Sequence, residues 1–212
     1  MPAGPKQLER AAETRAALVH AGRRLFVTPG YFATATEDLV AQANVTRGAL
    51  YHHFADKRDL FRAVFHAIGA DVLGNRIGAL RAAPDPTLDT WDQLRLGLHR
   101  FLRTVAESPE VQRVTIIDGP AVLGWQEWCR LEEHYSLGRI EHTINRSIEQ
   151  GVIAAQPPRA LAHLLLGLVN AGALAVANSG SAETDVVQAV DALLAGLRRP
   201  GRRPPRTSGG PR

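Results

Sequence analysis

A chain of 212 residues, 45% hydrophobic and 22% charged, is long enough to bury one or two cores and too mixed in composition to be fibrous or disordered throughout. A single cysteine, Cys129, excludes an intramolecular disulfide framework, and the first twenty residues are charged and lack the apolar segment of a secretory leader, so a cytoplasmic protein is expected. The net charge of +4 is unevenly spread: +2 over residues 1–60, −4 over 61–197 and +6 over the six-arginine stretch 198–212, the balance expected of a nucleic-acid-facing head on a body with a different task.

In chain order, residues 1–8 read as a loose arm. A first helix is predicted over about Glu9 to Val27, with Ala12, Ala16, Val19 and Phe26 inward and Leu18 and Leu25 flanking them. Thr28-Pro29-Gly30 ends it, and Tyr31 and Phe32 pack over a small three-helix core. Thr34 and Glu37 have capping-box spacing for the next helix, with Thr36 a competing cap. Leu39, Val40 and Ala43 give that helix its apolar face. Asn44 falls where the chain must reverse, a position suited to a residue that tolerates the left-handed conformation. Val45 plugs the corner and Thr46 caps a third helix running to about Phe54. Ala49, Leu50 and Phe54 make a narrow inward stripe. The rest of this helix carries Thr46, Arg47, Gly48, Tyr51, His52 and His53: hydrogen-bonding and cationic groups with a glycine that permits close approach. Such an array suits a helix laid N-terminus first in a DNA major groove. Lys57, after the cap at Asp56, can hold a phosphate as a point charge.

The run Gly30 to Phe61, GYFATATEDLVAQANVTRGALYHHFADKRDLF, resembles the helix-turn-helix domain of the TetR/AcrR family of bacterial transcriptional regulators, and the likeness extends back through AGRRLFVTPG to Ala21. Asn44 stands where a glycine is usual. The resemblance implies that Thr36, Thr46, Arg47, Gly48, Tyr51, His52 and Lys57 face DNA.

A fourth helix begins after Asp56, with Leu60, Phe61, Val64, Phe65 and Ile68 on one face that closes the head and continues into the body. Gly69, Gly74 and Gly78 mark either a hinge or a helix break near Gly74. Ala83-Pro84-Asp85-Pro86 reads as a linker. A fifth helix, about Leu88 to Glu107, is apolar along Trp91, Leu94, Leu98, Phe101, Leu102 and Val105. Ser108-Pro109-Glu110 restarts the chain as a short helix carrying Val111, Val114, Ile116 and Ile117. Asp118 to Trp128 reads as an irregular turn into a long helix that stops at Gly151. Residues 160–177 are apolar nearly all round and close to membrane-span length, but His163, Asn170 and the small residues Gly167, Ala171, Gly172 and Ala175 favour a helix buried among others. A last helix, about Glu183 to Leu197, presents Val186, Val187, Val190, Leu193, Leu194 and Leu197.

The expected architecture is therefore all-α with about nine helices: a DNA-binding head over 1–55, a ligand-binding and dimerisation body over 56–197, and a disordered Arg-rich tail over 198–212. No phosphate loop, nucleophile elbow or metal signature is present, so no catalytic residue, cofactor or metal is implied. The expected partners are double-stranded operator DNA, a second copy of the chain and a small-molecule inducer, with no membrane. Leu161, Leu165, Leu168, Val187, Val190 and Leu194 are candidates for the dimer interface. Leu94, Leu98, Phe101, Ile117, Trp125, Trp128 and Asn170 are candidates for a ligand pocket, with His99 and Asp118 as further polar anchors. The aromatic and aliphatic supply points to an apolar or aromatic ligand. The resemblance implies a repressor released from a palindromic site by that ligand.

Overall fold

Gly4 and Pro5 start the first helix earlier than its apolar periodicity does, because proline at the first helical position has the right φ and no amide to leave unpaired. A computed structural model describes residues 4–71, 88–179 and 183–200 of the chain. Gly74, Gly78, the Ala83–Pro86 linker and most of the arginine tail lie outside the described residues.

Helix α1 (Pro5–Leu25) runs into a five-residue π-type segment, Phe26–Gly30, that contains the non-helical Thr28. Its buried side is Leu18, Ala21 and Gly22; Ala12 and Ala16, expected inward, are exposed. Gly22 sets the approach of α4, since a Cβ there would meet Val64 at 2.9 Å. Helices α2 (Thr36–Ala43) and α3 (Arg47–His53) complete the head. Asn44 between them is left-handed, at φ 53 and ψ 47, as its position predicts.

Helix α4 (Lys57–Asp71) is the shared element. Leu60, Phe61, Val64, Phe65 and Ile68 are fully buried, and Phe61 meets Phe26 and Tyr31 with ring centroids 5.4 and 5.1 Å away. The body follows as α5 (Thr90–Glu107), a π-helical segment (Val111–Asp118), α6 (Gly119–Leu123), α7 (Trp125–Glu149), α8 (Pro158–Ser179) and α9 (Glu183–Gly196). Asp89 caps α5 by accepting from Asp92 N at 2.8 Å, and Ser108 Oγ accepts from Val111 N at 3.4 Å at the restart. The stretch predicted as an irregular turn is almost wholly helical: the π-segment and α6 run on to Gly124, whose φ of 82 makes the corner into α7.

Buried polar groups are tied off where the body's helices meet. Trp91 Nε1 donates to Leu194 O at 3.1 Å and Trp128 Nε1 to Thr115 O at 2.8 Å. Arg198 donates to both oxygens of Asp89 and pairs with Asp92 at 2.7 Å, while Arg199 N donates to Val152 O. Arg198 thus belongs to the body, not to the tail predicted from 198 onward. Its charge has a place because α5 opens with two acids at its positive end.

Head and body meet through charge as well as through α4. Arg23 on α1 bridges Asp71 on α4 and Glu110 after α5, and hydrogen bonding to Glu110 raises its already high pKa further. Arg58 and Arg62 on α4 converge on Glu127 of α7, and the Arg62 hydrogen bond holds that carboxyl below its ordinary range. Asp118, buried to 3% exposure, accepts from Arg113 Nε at 3.0 Å and from Tyr31 N at 3.4 Å. It is a joint between body and head rather than a ligand anchor.

Candidate nucleic-acid interface and body cavity

The second and third helices place a polar surface outside a very small core. Helix α3 buries Leu50 completely, and Phe54 closes its end. Thr46 Oγ1 accepts from Ala49 N at 3.2 Å, the predicted cap. The cap of α2 differs from the sequence reading. Ala35 occupies the N-cap, and Asp38 accepts from Ala35 N at 2.9 Å. The Thr34 hydroxyl is instead turned inward, donating to Gly30 O at 2.7 Å and placed 3.0 Å from Leu25 O. It reinforces the turn after Gly30, whose carbonyl also accepts from Thr34 N at 3.1 Å.

Thr46, Arg47, Gly48, Tyr51 and His52 all lie exposed on one side, with Thr36 half-buried at the start of α2. Tyr51 is 46% exposed. Arg47 lies over the Tyr51 ring at 5.7 Å and reaches Glu37 at 3.1 Å in an exposed pair, which solvent makes weak and easily exchanged. Around Gly48 the chain offers a Cβ only Thr46 Oγ1, at 3.9 Å. Nothing among the described residues requires a glycine there. Lys57 differs from the rest. Its ammonium donates to Tyr31 O at 3.0 Å and Thr34 O at 2.9 Å and sits 4.3 Å from the Tyr31 ring centroid. It fastens the start of α4 to the loop before α2.

In the body, α5, α7 and α8 enclose a cavity of about 200 Å3. Leu94, Leu98, Phe101 and Asn170 line it, as the sequence suggests. Ile117 and Trp128 do not: Ile117 is outside its wall, and Trp128 is core, packed against Gly119. Trp125, 64% exposed, and Trp128 border a second hollow of about 220 Å3 between α7 and α8. The two hollows share Glu132, Leu166 and Asn170. His99 is not a wall residue; its Nε2 lies 2.6 Å from Asp191 Oδ1 and ties α5 to α9.

Of the charged and hydrogen-bonding residues of the first cavity, sequence reasoning finds only Asn170. Glu132, Tyr135 and Arg139 fall at i, i+3 and i+7 of α7, one helical face, and that spacing was the available signal. Burial pushes the Glu132 carboxyl up to about 7. Asn170 Oδ1 is buried without a hydrogen-bond partner among the described residues. Tyr135 Oη lies 2.6 Å from His66 Nδ1 on α4, and its ring is so close to Gly69 that a Cβ there would stand 3.0 Å from it. Burial, with His134 and Arg62 adding to it, lowers the His66 pKa. Cys129 is partly buried; burial and the Glu133 and Glu132 charges raise its thiol pKa, the opposite of an activated nucleophile.

The expected dimer residues divide. Leu161, Leu165, Val190 and Leu194 are buried in the subunit's own core, and Leu168 and Val187 are packed against it. The apolar surface left over is Leu164, 71% exposed, with Gly167 and Ala171 on α8, and Leu193, 56% exposed, on α9. Helix α8 is long and apolar enough to cross a membrane, with a mean hydropathy of 1.9 over Pro158–Asn178.

Residues 18–64 match the family described as bacterial regulatory proteins, tetR family, and residues 91–197 match the tetracyclin repressor-like C-terminal domain. A crystal structure of a TetR-family transcriptional regulator from Pectobacterium atrosepticum is 35% identical, covers 92% of this chain and 98% of its own, and superposes with a TM-score of 0.76. The transposon Tn10 TetC protein of Escherichia coli is 26% identical over 76% of this chain and 79% of its own length. The transcriptional repressor AcnR of Corynebacterium efficiens is 25% identical over 91% and 96%.

Proposed function

Because this chain belongs to the TetR family of bacterial regulatory proteins, we propose that it is a dimeric repressor that leaves a near-palindromic operator when a small apolar or aromatic molecule enters its body. Proteins of this family are DNA-binding transcriptional regulators and are often ligand-responsive. The observation that carries the reading for this chain is the outer face of α3: five polar or glycine positions stand clear of their own core, and nothing among the described residues requires the glycine.

Arg47 reads a base edge, with guanine O6 and N7 the natural bidentate match for its guanidinium. Freed from Glu37, it has no other ionic partner to give up among the described residues. Thr36, Thr46, Tyr51 and His52 hold the backbone and set the register, and the open space at Gly48 lets the sugar-phosphate chain come close. Lys57 acts at one remove, by fixing the loop from which α2 starts. Two such heads, carried by a two-fold pair, read half-sites about 34–36 Å apart. The pair forms across Leu164, Gly167 and Ala171 of α8 and Leu193 of α9, where small residues let helices approach and exposed leucines supply apolar area. That contact, rather than a bilayer, is the natural cover for the outer side of α8, and the protein works in the cytoplasm beside its DNA.

Tyr135 links cavity to head. It lines the ligand space on one side and on the other touches His66 and Gly69 of α4, the helix that both parts share. A ligand that moves Tyr135 moves α4, and with it the spacing of the two heads. The ligand drives release only by binding the released state better. Equal effector affinity for free and DNA-bound protein would sink this mechanism. No catalytic or cofactor role is assigned to any residue.

The deciding experiment is selection of bound fragments from the source genome with wild type and Tyr51→Ala in parallel. Enrichment of one palindromic site by wild type and its loss in the variant are expected. Equal enrichment by both proteins would remove α3 from the interface.

A further inference from the structure

The wall between the two hollows of the body holds two acceptors with nothing to accept from. Glu132 on α7 forms no hydrogen bond or ion pair among the described residues, and the Oδ1 of Asn170 on α8 is buried without a partner. Both line both hollows. A half-buried carboxyl and a buried amide oxygen left bare are costly beside a core, and native structures retain them chiefly where something else satisfies them. The apolar part of the wall is Leu94, Leu98, Phe101 and Val169, and Gln93, Ser136 and Thr143 add neutral polar groups to it.

We propose that this cavity is built for an organic ammonium, an apolar or aromatic body carrying a protonated amine that donates to Glu132 and Asn170. The proposal deepens the effector reading above and rests on it. An ammonium supplies several N–H donors and no acceptor, which matches two acceptor-bearing residues on the wall that α7 and α8 share. It also turns Glu132 from an isolated acid into half of an ion pair, whose attraction is strongest where water is thin. A neutral donor leaves the carboxylate's charge uncompensated, and an anion meets it with repulsion. The neighbouring acid, Glu133, lines only the second hollow, where it lies 3.6 Å from His163. Arg139 lines the same cavity, but it is exposed and two turns away along α7, so its charge is screened by water at the mouth. The body's net charge of −4 over residues 61–197 favours the approach of a cation.

The test is calorimetric titration of the full chain with 4-phenylbutylamine, and with 4-phenylbutan-1-ol and 4-phenylbutyrate as neutral and anionic probes of similar length. The amine is expected to bind about tenfold or more tightly than either control, the scale of a charged hydrogen bond. Glu132→Gln should lose about tenfold for the amine and leave the alcohol within about twofold, and Asn170→Leu should weaken the amine to a smaller degree. Thermal melts confirm that both variants are folded. Alcohol or butyrate binding as well as the amine, amine affinity unchanged in Glu132→Gln, or no amine binding at all would each overturn the proposal. Operator release is scored separately. Amine binding without release keeps the ammonium site and removes the effector reading. Release by one of the other probes with no amine binding does the reverse.

Discussion

The head and the body use their polar residues in opposite ways. In the head, polar side chains stand outside a small core and are either exposed, as Arg47 and Tyr51 are, or paired with the backbone, as Thr34 and Lys57 are. In the body, among the described residues, Asn170 Oδ1 is buried without a partner and Glu132 is half-buried without one, both on the wall of a cavity. A surface built to meet a large partner can leave its groups hydrated until contact. A site for a small molecule must hold its groups away from water beforehand, and the fold bears that strain when the site is empty.

This contrast can be broken at its join, inside the body and on the head, in falling order of effect. Phe61→Ala empties the centre of the core that head and body share, and should destabilise by about 3–5 kcal/mol. Both parts should melt together in one calorimetric transition. Two separated transitions would show that the head keeps its own core.

Next comes Glu132→Gln, which tests the unmatched carboxyl. The folded-state pKa is raised, so the folded chain binds more protons than the unfolded chain between the ordinary carboxyl value of 4.5 and about 7. Stability from this group is therefore present at low pH and lost as pH rises through about 7. At pH 8 the variant should be more stable than wild type by up to about 3 kcal/mol, and near pH 4 the difference should vanish. A variant equally shifted at both pH values would deny that burial of charge is involved. His66 works in the other direction. Its pKa is lowered, so wild type and variant alike should lose stability as pH falls below about 6.5.

On the head the expected effects fall on binding and spare the fold. Arg47→Ala should cost about 1–3 kcal/mol of operator affinity per half-site and relax preference at one base position, with melting temperature unchanged within error. Smallest in stability and most telling is Gly48→Ala. The open space around Gly48 admits a methyl, so the fold should gain up to about 1 kcal/mol from helix propensity while operator binding falls. A Gly48→Ala protein that binds DNA as wild type does would mean that no backbone approaches that point.

The same contrast explains what could be read from sequence. The reversal at Asn44, the Thr46 cap and the outward side of α3 depend on neighbours within a few residues, and all three stand where the pattern puts them. Ala12 and Ala16 misled because alanine suits either side of a helix, and the true contact with α4 runs through Gly22, a residue with no apolar signal at all. Helix α8 is apolar nearly all round, so periodicity gave it no phase. Leu165 and Leu164 look alike in sequence, yet one is buried and the other exposed. The cavity's polar wall was obscured for a further reason. Glu132, Tyr135 and Arg139 on a long, largely polar helix read as a solvated face until α5 and α8 are laid against it.

Arg198 has a mechanical consequence. It clamps the end of α9 to the first turn of α5, and beside it Arg199 pairs with Val152, so the points where the chain enters and leaves this part of the body lie within one salt bridge of each other. Tension applied at residue 200 is therefore shared across three segments in parallel before it can peel α9 from its neighbours. Anything joined to the chain there hangs from the start of α5, with its motion set by that helix.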